Sequence, residues 1–312
     1  MPPLTHALLL TAGLGTRLRP LTTVRAKPAM PVAGRPMVAR IARWLRAAGL
    51  TDVVLNLHHR PESIATIVGD GSDLGVRARY SWEQPELLGS AGGPRQALDI
   101  IGADTFVIVN GDTLTNLELP PLLDAHAASG ALVTMAVIPN TQPQHYGGLR
   151  VGSDGAVLGV VPRGSSDASF HFIGVQVAHR DAFAGAPVGR RSNSVGDVYA
   201  RLIAARPGSI RVHVGAAAFW DIGTVADYWH TSHAFARAEG VDLGAGAQLA
   251  DDARVTASIV WDDVHVGPGA SVEQCIVTDG VRVSAGARFV NQILMRGPGG
   301  EVVTAPLRME QP

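Results

Sequence analysis

With 312 residues, 46% of them apolar, and a formal charge of −1, the chain can bury a large core but carries no basic surplus to hold a nucleic acid. Its single cysteine, Cys275, excludes internal disulfides and cysteine-cluster metal sites, and its eleven histidines show no HExxH spacing. No run approaches the ~20 apolar residues of a membrane-crossing helix, and no signal-peptide pattern opens the chain, so a cytoplasmic protein with no membrane partner is expected.

Apolar strand patterns at 6–10, 53–57, 76–80, 106–109, 132–137 and 210–214 alternate with helical patterns at 36–48, 61–68, 91–98 and 120–129. In the first helical stretch Val38, Ile41, Leu45 and Ala48 share one face, and Arg40, Arg43 and Arg46 another. This alternation predicts an α/β fold over residues 1–238, a Rossmann-like, mostly parallel sheet with helices on both faces. Ligands of such sheets bind beyond the carboxyl ends of the strands, so the residues that follow each strand are the ones to read.

After the first strand, Gly13 and Gly15 permit close backbone approach to a ligand, and their N–H groups can line a phosphate-binding concavity. Arg17 and Lys27 add positive charge to the same loop. Lys27 is the only lysine among 26 basic residues, a compact ammonium kept where arginine serves everywhere else. The spacing matches neither a P-loop nor a dinucleotide fingerprint. Asp112 follows Gly111 at the tip of the 106–109 strand, where a carboxylate suits Mg²⁺ and where turn or cap aspartates also occur. Gly89, Ser90, Ala91, Gly92 and Gly93 form a small-residue stretch that could floor a flat base or simply open a helix.

The set Gly13, Gly15, Thr16, Arg17, Leu18, Pro20, Thr22, Lys27, Pro28, Pro31 and Val32 resembles the signature of the sugar-phosphate nucleotidyltransferases, also called nucleotide-sugar pyrophosphorylases. Within that family the layout is most similar to mannose-1-phosphate guanylyltransferases with a C-terminal left-handed β-helix. The resemblance implies an enzyme whose partners are a nucleoside triphosphate and a sugar 1-phosphate. It gives Arg17 and Lys27 the catalytic phosphate-bracing roles, and Asp112 and Asp221 (the latter in an Asp-x-Gly-Thr segment) the Mg²⁺. It assigns the nucleotide to Leu10, Ala12, Gly13, Gly15, Thr16, Gln84, Gly89, Ser90 and Gly111, with Ser90 standing where relatives carry threonine. It assigns the sugar phosphate to Tyr146, Gly147, Arg163 and Gly174. Relatives hold that phosphate with the lysine of a Glu-Lys-Pro segment; here Val161 and Pro162 precede Arg163, which would have to substitute. His171 could add a donor there or be a structural strand residue, and Asp227 reads as a cap or a solvent-face residue of the helix over 226–236.

Beyond residue 238 the chain turns glycine- and valine-rich. Leu243, Leu249 and Val255, then Val260, Val266 and Val272, then Val277, Val283 and Phe289, and finally Leu294, place apolar residues at corresponding positions every 17 residues. Three sides per turn is the pattern of a parallel β-helix, over residues 239–298, with Gly244, Gly267 and Ala285 at corners that need small residues. An antiparallel sheet is the alternative. The family resemblance implies a left-handed coil and homo-oligomer contacts through it, and residues 299–312 read as a loose terminus. The expected reaction joins mannose 1-phosphate to GTP. Glucose 1-phosphate or an N-acetyl-sugar phosphate with dTTP or UTP is the alternative, as is a catalytically silent subunit that binds a nucleotide sugar.

Overall fold

The computed structural model describes residues 4–239 and 243–309, which form two compact units. The first takes the chain up to Gly13 and then Ile41–Phe219; the second takes Leu14–Arg40 and everything from Trp220 onward. The expected boundary at 238–239 abuts residues 240–242, which lie outside the described residues, as do 310–312.

The first unit is built on a nine-stranded sheet. Its strands are β1 (His6–Leu10), β2 (Asp52–Leu57), β3 (Arg77–Trp82), β4 (Thr105–Asn110), β5 (Val133–Pro139), β6 (Gly148–Val151), β7 (Val157–Val161), β8 (Phe170–His179) and β9 (Ile210–Val214). Strand β1 lies between β2 and β4 and pairs in parallel with both, and β3 continues the parallel edge beyond β2. Central parallel strands are covered on both faces, which is why Ala7, Leu8, Leu9, Val107, Ile108 and Val109 are all apolar and buried. Helices α1 (Met37–Ala47), α2 (Pro61–Val68), α3 (Gly89–Ile101) and α4 (Leu119–Ser129) follow the expected stretches within a few residues.

The other half of the sheet differs from the sequence expectation. β6, β7 and the ten-residue β8 were not among the predicted strands, and β8 pairs antiparallel with both β4 and β5. The sheet is therefore parallel at its centre and mixed toward one side. β8 escapes a simple reading because its register shifts between Phe172 and Gln176, which breaks the two-residue alternation.

In the second unit, three parallel sheets run through the coil, each strand pairing with the one 17 residues on. Gln248 pairs with His265 and then Arg282, Arg254 with Ser271 and then Arg288, and Ile259 with Ile276 and then Ile293. The 17-residue spacing read from the apolar positions is the observed register, with Val260, Val266, Val272, Val277, Val283 and Leu294 buried inside. Corners recur with the same period in the left-handed backbone region, at Gly246, Asp263 and Gly280 and again at Ala257, Gln274 and Asn291. A Cβ on Gly244 would fall on the backbone of Trp261 in the next coil, which explains the small residue there. Within the stretch expected to be loose, Val302–Pro306 forms a strand that pairs antiparallel with Gln292–Arg296, hidden from the sequence by its short, mixed composition. Helix α5 (Val225–Glu239) packs on the coil, Trp261 Nε1 donating to the Tyr228 hydroxyl at 2.8 Å.

Candidate active site

In the first unit the carboxyl ends of β1, β2 and β3 are joined by a buried polar chain. Thr11, just past β1, donates its N–H to Asn56 Oδ1 at 2.6 Å and its hydroxyl to the Asn56 carbonyl. Asn56 Nδ2 donates to Glu83 Oε1 at 2.6 Å, and Glu83 Oε2 accepts the Leu88 N–H at 2.7 Å. Glu83 is fully buried, and desolvation raises its pKa above the ordinary carboxylate value despite those two hydrogen bonds. Sequence reading passed over both Asn56 and Glu83, since neither belongs to a glycine-rich or charged motif. They fix the loop holding Leu10, Ala12 and Gly13 relative to the segment holding Gln84, Gly89 and Ser90.

The small residues at the start of α3 have protein neighbours on their bare sides. A Cβ on Gly93 would fall on Glu83 Oε1, one on Gly92 would meet the Arg190 carbonyl at 2.7 Å, and one on Gly89 the Ser192 carbonyl at 2.8 Å. Ser192 O accepts the N–H groups of Ala91 (3.0 Å) and Gly92 (3.3 Å), and Ser90 Oγ accepts from the Ser194 N–H at 2.9 Å. Segment 190–194 thus buttresses the small-residue start of α3. It left no sequence signal, because its contacts span about a hundred residues of chain.

Gly111 N–H donates to the Leu10 carbonyl at 3.0 Å, so Asp112 follows directly from the point where β4 is tied to β1. Gly174, in the left-handed region at φ 76°, lies in the β8 irregularity, where a Cβ would meet Thr113 Oγ1 at 2.9 Å and Asn110 Nδ2 at 3.0 Å. The structure therefore brings Gly174 against the residues that flank Gly111 and Asp112. Tyr146, Gly147 and Arg163 come together separately: Gly148 pairs with Val161, and a Cβ on Gly147 would meet the Val161 carbonyl at 3.2 Å and Arg163 N at 3.7 Å. The Tyr146 ring lies 4.3 Å from that of His171, which lies 5.0 Å from Phe219. His171 Nε2 is buried without a hydrogen-bond partner, and desolvation lowers the imidazole pKa, so the ring is neutral near pH 7.

The second unit carries Gly15, Thr16, Arg17, Lys27 and Asp221. Gly15 adopts φ 58°, and Thr22 Oγ1 donates to its carbonyl at 3.0 Å, closing the turn of Thr16–Leu18 that presents Arg17. Lys27 begins a second turn, Lys27–Ala29, and is 8% exposed. The Arg17 guanidinium lies over Gly223, where a Cβ would meet both terminal nitrogens at 3.2 Å. That glycine stands two residues after Asp221, which ends the short strand Phe219–Asp221. Asp227 caps α5 as expected, its Oδ2 accepting from Thr224 N at 2.8 Å and Thr224 Oγ1 at 2.7 Å.

Among the described residues no three His, Cys, Asp or Glu side chains group as metal ligands. A cation held by this chain would take one or two carboxylates and complete its shell with phosphate oxygens and water, a donor set that fits Mg²⁺. No helix is long and apolar enough to cross a membrane among those residues.

Comparison with known proteins agrees with this architecture. The chain is 29% identical over 293 residues to the mannose-1-phosphate guanylyltransferase of Mycobacterium tuberculosis, covering 90% of this chain and 81% of that one. It is 27% identical over 303 residues to the UTP–glucose-1-phosphate uridylyltransferase of a Synechocystis species, covering 89% and 76%. The crystal structure of HddC from Yersinia pseudotuberculosis superposes with a TM-score of 0.63 at 22% identity, over 73% of this chain and 98% of that chain, a likeness of fold. The nucleotidyl transferase family matches residues 6–238, three-quarters of the protein, and the chain belongs to that family.

Proposed function

We propose that the protein transfers the nucleotidyl group of a nucleoside triphosphate to a sugar 1-phosphate, releasing pyrophosphate, with mannose 1-phosphate and GTP as the pair. The observation that carries the reading is the contact of Arg17 with Gly223. It sets a guanidinium suited to a leaving pyrophosphate two residues from Asp221. Lys27, half-way along the same loop, supplies a second cation for the phosphates. Mg²⁺ bound through Asp112 and Asp221 would neutralise charge growing on the α-phosphate. The sugar phosphate is already an anion near neutral pH, so its oxygen attacks the α-phosphorus in line without a general base. Leu10, Ala12, Gly13, Gly15, Thr16, Gln84, Gly89, Ser90 and Gly111 take the nucleotide in this scheme.

Arg163 takes the sugar phosphate in place of the family's lysine. The rings of Tyr146, His171 and Phe219 offer an apolar surface to the sugar. The Mycobacterium relative's name supports mannose and GTP, and the Synechocystis relative's name supports glucose 1-phosphate and UTP as the second reading. We further propose that the enzyme works in the cytoplasm, in keeping with its lone, buried Cys275, and self-associates through the coil.

The test is pyrophosphate release from the purified protein with Mg²⁺, across four triphosphates and a panel of sugar 1-phosphates, beside a Lys27→Ala control. Turnover with one pairing, sharply reduced but still measurable in the control, is expected. Silence across the panel with nucleotide sugars still bound would replace this reading with that of a regulatory subunit.

A further inference from the structure

Arg25, two residues before Lys27, is held by several partners on the coil and on its own loop. Its Nε and one terminal nitrogen grip Asp279 at 2.6 and 2.7 Å, and that same nitrogen reaches Asp262 at 2.5 Å. Its other terminal nitrogen donates to the Ala29 carbonyl, two residues past Lys27, at 3.3 Å. The guanidinium also lies 5.6 Å from the ring of the fully buried Trp261. Asp262 and Asp279 occupy one corner on successive coils and are tied to each other and to the coil before. Asp279 Oδ1 accepts the Asp262 N–H at 3.3 Å, and Asp262 Oδ1 accepts the Ala245 N–H at 2.8 Å. Four residues past Lys27, the Pro31 carbonyl accepts the Tyr228 hydroxyl at 2.6 Å, and Tyr228 in turn accepts from Trp261. The backbone on both sides of Lys27 is thereby fastened to the coil through side chains that are mostly out of water.

From this geometry we propose that Arg25 is a positioning residue for Lys27, and that the coil is part of the catalytic apparatus as the back-plate of the phosphate loop. The proposal rests on Lys27 being a phosphate-binding cation. Each corner carboxylate accepts an N–H of the coil before it, but the parallel ladders and the buried valines already hold the coil, and Asp262 Oδ2 and Asp279 Oδ2 are left to grip Arg25. The repeat matches the width of one guanidinium, which takes Asp279 in a forked grip and Asp262 at its edge. Loss of Arg25 leaves the coil folded and the lysine's backbone free to shift, and phosphate transfer is sensitive to displacements of an ångström.

The experiment is a double-mutant cycle in the full-length protein, with kcat and KM measured separately for triphosphate and sugar phosphate. Arg25→Ala is expected to reduce kcat/KM for the triphosphate about 10- to 100-fold. The sugar-phosphate KM should stay within about twofold, because a residue acting through Lys27 changes only what Lys27 contacts. Arg25→Ala in a Lys27→Ala background should add almost nothing. Asp279→Asn should reproduce the pattern, and Arg25→Lys should recover part of it; these two variants carry the test if Arg25→Ala does not fold. Additive losses, or equal effects on both substrates, would overturn the proposal and leave Arg25 a folding residue. A Lys27→Ala protein with normal triphosphate kinetics would instead sink the underlying reading of Lys27, and the proposal with it.

Discussion

Asn56 donates its side-chain amide to Glu83 at 2.6 Å, and through that one bond the loop after β1 is joined to the segment that opens α3. Asn56 is 3% exposed and Glu83 not at all, so neither group has water to fall back on. The loop after β1 and the segment before α3 are therefore set relative to one another by a pair outside every recognisable motif.

Gly93 leaves room for that pair. Gly93→Ala would drive a methyl group into Glu83 Oε1 and Asn56 Nδ2 and should destabilise the protein by about 1–3 kcal/mol in urea unfolding. Gly185→Ala, where a Cβ meets nothing within 4 Å, should stay within about 1 kcal/mol of wild type. Equal stabilities for the two variants would show that the polar chain yields easily.

Glu83 should also leave a mark on the pH dependence of stability. Burial raises its folded pKa above the unfolded value, so its favourable contribution is complete below the ordinary carboxylate range and is lost as pH rises through the folded pKa. Glu83→Gln, a fixed neutral isostere, should lack this loss, and its stability relative to wild type should improve as pH climbs through that window. A constant difference between the two proteins would mean that Glu83 titrates normally.

Gly223 tests the assignment of Arg17 without touching its charge. A methyl group at Gly223 presses on the guanidinium's far end, which can swing away, so Gly223→Ala should keep its melting temperature. Turnover should nonetheless fall by roughly tenfold or more as the cation leaves its place. Unchanged pyrophosphate release would detach Arg17 from the reaction.

Asp112→Asn should reduce turnover roughly 100-fold or more while the urea midpoint barely moves, because an amide is a poor ligand for Mg²⁺. Near-normal rates would remove Asp112 from the mechanism.

His171 predicts an acid limit on sugar binding. Its folded pKa lies below the ordinary histidine value because burial disfavours the cation. Its contribution to stability is thus intact above about pH 6.5 and is lost as pH falls toward the folded pKa. If the neutral ring faces the sugar, the sugar-phosphate KM should rise as pH falls below the ordinary histidine range toward the folded pKa, and His171→Asn should flatten that rise. A pH-independent KM in wild type would separate His171 from the sugar.

The sequence by itself determined the α/β class, the central strands, the signature loop with Arg17 and Lys27, and the 17-residue coil. These are legible because each is local: a periodicity, a run of buried apolar residues, or a motif of glycines and prolines whose backbone demands few substitutes. Tertiary structure alone decided the rest. The antiparallel β8, broken in register at Phe172–Gln176, and the Val302–Pro306 strand become strands only by pairing with partners already in place. Asn56 and Glu83 earn their places by burial against one another, and segment 190–194 by contacts with α3 roughly a hundred residues away. Even the grouping of Leu14–Arg40 with the C-terminal coil follows from Arg25 meeting Asp262 and Asp279 across more than 230 residues of chain. Such pairings leave no trace in local spacing, because a hydrogen bond between distant residues is specified by where the whole chain puts them.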